Sequence, residues 1–133
     1  MYHKIYSSLF TLSIFFLLML FGCDKSSEKV NEENLRISTD AINNYEVLGA
    51  DYSFNLTVES VMPPSGVRIS VNVVGESDNR SYSPMADLET SNKTTRITLH
   101  GLPQQIYCLA QVRVTSKTKA TNNATLQIRI IRK

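Results

Sequence analysis

Alternation with a period of two runs through most of the chain beyond residue 50, and it narrows the possible folds more than any other feature. In "YSFNLTVES" (52–60), Tyr52, Phe54, Leu56 and Val58 fall on one side and Ser53, Asn55, Thr57 and Glu59 on the other. Successive side chains of an extended strand point to opposite faces, so this pattern is that of a half-buried β-strand. "VRISVNVVG" (67–75) repeats it, with Val67, Ile69, Val71 and Val73 inward and Arg68, Ser70 and Asn72 outward. The intervening "MPPSG" (62–66) has proline to fix φ and Gly66 to take a positive φ, which predicts a turn and an antiparallel pair of these two strands.

Three later segments behave alike. "TRITLHGL" offers Ile97 and Leu99; "IYCLAQVRVTS" offers Ile106, Cys108, Ala110, Val112 and Val114; "ATLQIRIIRK" offers Ala124, Leu126, Ile128 and Ile130. No window carries a convincing helical stripe. Residues 35–50 supply a first strand, from Leu35 and Ile37 or from Tyr45 and Val47. The polar stretch "GESDNRSYSPMADLETSNKT" (75–94) reads as mobile loop holding a short strand near Arg80 to Ser83. Short strands separated by turns at this size predict an all-β chain folded as one two-sheet sandwich.

The start of the chain is different. Residues 1–8 carry one lysine, Lys4, and residues 9–21, "LFTLSIFFLLMLF", carry no charge. Thirteen apolar residues fall short of the ~20 that cross a bilayer and match the centre of a signal peptide. Leu20, Phe21 and Gly22 then lead into Cys23, which resembles the lipobox of bacterial lipoproteins. The resemblance implies cleavage after Gly22 and a covalent lipid on Cys23, whose thiolate is the nucleophile such acylation needs. It also implies a bacterial cell-envelope address, with the outer membrane or cell surface favoured over the inner membrane. Two or more acyl chains give stable anchoring where one is marginal. Residues 24–34, "DKSSEKVNEEN", are dense in charge with one aliphatic, so a disordered tether is expected.

The expected organisation is therefore a signal peptide over 1–22, a lipidated Cys23 with an acidic tether to residue 34, and a domain over 35–133. Cys108 is the only cysteine beyond the anchor, so a lipidated chain has no internal disulfide. From Cys23 to Asn92 there are five basic and twelve acidic residues; from Lys93 to Lys133, eight basic and none acidic. Either the late strands present a basic face that attracts anionic glycans or headgroups, or early acids neutralise late bases. An envelope address excludes nucleic acid as the partner.

The late strands also resemble a known family. "ITLHGLPQQIYCLAQVRVTSKTKATNNATLQIRI" (97–130) is similar to the closing half of fibronectin type III and related immunoglobulin-like domains. Pro103 and Tyr107 have the spacing of that family's tyrosine corner, whose phenol ties down the preceding loop. The resemblance implies an immunoglobulin-like antiparallel β-sandwich. It departs in having no Trp, and in placing Tyr107 out of phase with Cys108, Ala110, Val112 and Val114, so the tyrosine needs a bulge or an outer-face position.

Catalytic chemistry has little foothold. His100 is the one histidine beyond the leader and has outward parity, and no Gly-x-Ser-x-Gly elbow accompanies it. Cys108 sits in an apolar row where a thiol is inert. Soft-metal ligation lacks a Cys or His cluster, and a calcium loop of ordered Asp-x-Asp-x-Asp-Gly type is absent, although Glu76, Asp78 and Asn79, with Asp87 and Glu89, are oxygen donors. No catalytic residue, metal or cofactor is expected beyond the lipid on Cys23. The Asn-x-Ser/Thr sequences at Asn55, Asn79, Asn92 and Asn123 follow from abundant Asn, Ser and Thr.

The expected activity is binding or scaffolding: the anchor holds the domain to a membrane while its loops contact another envelope protein or a glycan. Glu76, Asp78, Asn79 and Arg80 are the candidate binding residues, because polar loops on a rigid scaffold carry recognition. An accessory subunit of a larger adhesion, glycan or nutrient-uptake complex is the alternative, and a small hydrolase the least favoured.

Overall fold

A computed structural model describes residues 31–133. The expected signal peptide (1–22), Cys23 and residues 24–30 of the expected tether lie outside the described residues. Nine strands form, and no helix occurs among the described residues: β1 (Ile37–Thr39), β2 (Tyr45–Val47), β3 (Tyr52–Val58), β4 (Val67–Gly75), β5 (Ser81–Tyr82), β6 (Leu88–Thr90), β7 (Thr94–Leu99), β8 (Tyr107–Ser116) and β9 (Asn123–Arg132).

They make two sheets. One has the order β1-β3-β7; the other runs β2-β9-β8-β4-β5, with β6 also on β4. The inward positions of both meet in one cluster, with Phe54, Leu56, Ile97 and Leu99 from the smaller sheet against Val67, Ile69, Cys108, Ala110, Val112, Val114, Ile128 and Ile130 from the larger. Each large aliphatic side chain so buried contributes about 1.5–3 kcal/mol. Period two placed these residues correctly.

Pairing departs from expectation in three places. The strands either side of "MPPSG" are not a hairpin: β3 pairs with β1 and β7, whereas β4 pairs with β8, β5 and β6. The Pro63 carbonyl accepts from the Gly66 N–H (2.9 Å), and the chain crosses from one sheet to the other there. The reason lies in the apolar sets, which face each other across the core and so cannot also be neighbours on one face. Second, the sheets are not purely antiparallel, since β2 runs parallel to β9, with Tyr45 opposite Ile130 and Val47 opposite Arg132.

Third, residues 75–94 hold two short strands, β5 and β6, where one was expected. Val73 pairs with Tyr82, and Ile69 with Leu88, so β5 and β6 divide one edge of β4 between them. The domain also starts earlier than Leu35, with a compact unit running from Asn31. Glu32 accepts from the Ser116 hydroxyl (2.7 Å) and from Asn122 Nδ2 (2.9 Å), and Glu33 accepts from the Val61 N–H (2.9 Å) and pairs with Arg36 (2.9 Å). These two acids, read as tether, are spent on the fold.

Candidate functional site

The candidate binding loop 76–80 is the tight connection between β4 and β5. Gly75 N–H donates to the Arg80 carbonyl (2.9 Å) and Asn79 N–H to the Gly75 carbonyl (3.0 Å), with Asn79 at φ 55°. Asp78 accepts from the Arg80 N–H (3.1 Å) and from the Tyr82 hydroxyl, and the Tyr82 bond holds its carboxyl below the usual range. Glu76 faces the Arg129 guanidinium through two bonds of 2.8 and 2.6 Å. The four residues are brought together, but the Glu76 and Asp78 carboxylates are turned to partners within the domain.

Arg129 is the centre of a clamp. Besides Glu76 it reaches Asn44 Oδ1 (3.2 Å), and its guanidinium carbon lies 3.8 Å from the centre of the Tyr107 ring. A planar guanidinium that forks a carboxylate while stacking on an aromatic face is a favourable use of arginine. The corner expected of Pro103 and Tyr107 is not formed among the described residues. Tyr107 stands on the outer face, 40% exposed, because its neighbour Cys108 takes the inward position. The loop before it is tied instead by β9, through Gln105 N–H to the Arg132 carbonyl (2.7 Å) and Arg132 Nη1 to the Leu102 carbonyl (3.1 Å).

The hydrogen bonds from Arg129 hold the Glu76 carboxyl below the ordinary glutamate range. A carboxyl whose folded pKa is depressed adds stability above its unfolded pKa, and that contribution fades as pH falls through the folded value. Titration of Glu76 followed by carboxyl carbon NMR is expected below about pH 4.3, the free glutamate value, and is expected to return toward it in Arg129→Gln.

His100 is exposed at the end of β7, with Nδ1 at 3.1 Å from Asp51 Oδ2. Cys108 is buried, and desolvation pushes its thiol pKa up. The Ser83 hydroxyl accepts from the His100 backbone N–H (2.6 Å). Early acids do meet late bases: Glu76 with Arg129, Glu89 with Lys117 and Glu46 with Lys133.

One concave surface does carry unspent polar groups. It lies on the outer face of the larger sheet, a groove of about 380 Å³ lined by Arg68 and Ser70 of β4, Arg113 and Thr115 of β8, Asp87 before β6, and Lys117 in the β8–β9 turn. Register sets the rows of this face: Arg68 opposite Thr115, Ser70 opposite Arg113 opposite Thr125, and Asn72 opposite Gln111 opposite Gln127. Glu89 bridges Arg68 and Lys117, which hold its carboxyl below the ordinary range, Lys117 first. Arg113 is exposed and has no acidic partner among the described residues. The sequence had already marked Arg68, Ser70 and Asn72 as outward; what it lacked was which strand lies beside them. The chain matches no family model and no curated protein.

Proposed function

We propose that the protein is a lipid-anchored lipoprotein of the bacterial envelope that acts by binding, without catalysis, through an immunoglobulin-like β-sandwich. The orders β1-β3-β7 and β9-β8-β4 support that fold, being the A-B-E and G-F-C arrangements of immunoglobulin-like domains, with consecutive strands divided between the sheets. The observation that carries the binding reading is the outer face of the larger sheet. There hydroxyl, amide and guanidinium side chains stand in cross-strand rows beside a groove, an array suited to the hydroxyls and charged groups of a glycan. In the loop, Glu76 and Asp78 spend their carboxylates on Arg129 and Tyr82, while Asn79 and Arg80 are exposed and stay available for contact with a partner.

Metabolic palmitate labelling tests the anchor. Label on the native chain that disappears in Cys23→Ser, with a mature mass beginning at Cys23 plus acyl chains, is the expected result. An unlabelled native chain refutes the anchor.

An accessory subunit is the second reading, favoured by one edge. Asn55 turns its N–H toward Asp40 and its carbonyl toward the Asp40 N–H, so its register partner Arg96 points its own backbone groups away from β3. By alternation Thr94 and Thr98 do the same, which leaves β7 open to strand addition by a partner. A partner that co-purifies through β7 is the mark of that reading.

A further inference from the structure

We propose that the groove on the larger sheet selects a carboxylate-bearing, uronate-type glycan, with Arg113 as the residue that receives the carboxylate. This rests on the outer face being the binding surface.

Charge in the groove decides the ligand class. Arg68, Arg113 and Lys117 supply three positive charges; Asp87 at the rim and Glu89, which bridges Arg68 and Lys117, supply two negative ones. About one positive charge is left, and it resides on Arg113, the one of these three cations that forms no ion pair with a described residue. One such charge matches a carboxylate monoanion, whereas the second charge of a phosphate monoester would face Asp87 uncompensated.

Geometry agrees with charge. A guanidinium offers two parallel N–H donors to a carboxylate, and this bidentate match is stronger and more directional than contact with a neutral hydroxyl. Arg113 stands in mid-face between its register partners Ser70 and Thr125, whose side chains share its face. One row further along, Asn72, Gln111 and Gln127 offer donors and acceptors together, the complement of sugar hydroxyls. The groove lining includes no aromatic side chain, so stacking is not available there and binding depends on the charge. Affinity for such a ligand therefore falls with salt.

The test uses the detergent-solubilised full chain and oligogalacturonate, with the same oligomer after reduction of its carboxyls as the neutral control. Calorimetry is run at about 20 mM and about 500 mM salt, which brackets weak and strong screening. Two variants each remove one positive charge: Arg113→Gln in the groove and Arg96→Gln on β7 of the other sheet. The expected result is binding of the acidic oligomer that weakens at high salt, drops by about tenfold or more in Arg113→Gln, and is retained within about twofold in Arg96→Gln. Equal losses in both variants would overturn the proposal, because attraction would then be to net charge alone. Equal binding of the reduced oligomer would overturn it too; if Gln111→Ala weakens that neutral binding, the face stands as the recognition surface and only the acid selectivity falls. Absence of binding to either oligomer overturns the proposal, and the palmitate result, read separately, leaves the anchor untouched.

Discussion

Gly66→Ala is expected to destabilise the domain by about 3–4 kcal/mol, one of the largest effects of a single methyl group in this fold. Two causes add. Gly66 has φ 76°, a left-handed backbone that costs a residue with a side chain about 1–2 kcal/mol. The new Cβ would also lie 2.5 Å from the Thr90 carbonyl oxygen and 2.6 Å from Ser91 Oγ. The first of these is backbone on the strand paired with β4, so it cannot swing aside. Relief requires the crossing between the sheets to move, and Gly66 also accepts from the Lys117 N–H (3.0 Å), which ties that crossing to the β8–β9 turn. Thermal melts measure the loss, expected to be roughly 15 °C or more for a domain of this size. Gly101→Ala is the control that separates the causes: Gly101 has φ 66° but open space at its Cβ position, so it should cost only about 1–2 kcal/mol. Equal losses for the two would mean that the contact with Thr90 contributes nothing.

Asn122→Ala is expected to cost about 2–3 kcal/mol and to release the first residues of the domain. Asn122 is 6% exposed, and its amide is fully used: Oδ1 accepts from the Leu35 N–H (2.8 Å), and Nδ2 donates to Glu32 (2.9 Å) and to the Glu33 carbonyl (2.8 Å). Alanine leaves the buried Leu35 N–H without a partner, and a buried donor left unpaired costs more than a bond between exposed groups. Aspartate does not rescue it, since a carboxylate keeps the acceptor but faces the Glu32 carboxylate and the Glu33 carbonyl. Melting gives the energy; hydrogen exchange at Leu35 and proteolysis between residues 31 and 36 locate it. Unchanged protection at Leu35 would show that β1 is held by its pairing with β3 alone.

Asn122 also shows where sequence reading stops. "NN" before a strand reads as a turn, and a turn it is, but the side chain's role depends on contacts nearly ninety residues away. Glu32 and Glu33 looked like solvated charges for the same reason. Alternation found the inward residues of every long strand, because one buried face imposes period two whatever the partner strand. It could not assign strands to sheets, because Phe54 and Val67 look alike whether side by side or face to face. β6 escaped notice since three residues are too few to show a period. The site follows the same division: Arg68 and Ser70 were legible as outward, while their neighbour Arg113, forty-odd residues on, needed the β4–β8 register.

The division of β3 and β4 between two sheets also bears on how quickly this chain can fold. Apart from short pairings of β1 on β3 and of β5 and β6 on β4, the early strands find their partners far along the chain: β3 waits for β7, β4 for β8, and β2 for β9. Among the long strands only β8 and β9 are joined by a short turn, and they share a nine-residue register. Joining β3 to β7 and β4 to β8 requires closing long loops, whose entropy makes folding slow, on the order of milliseconds to seconds. A chain synthesised N-terminus first keeps the apolar rows of β3 and β4 without their long partners until β7 and β8 follow.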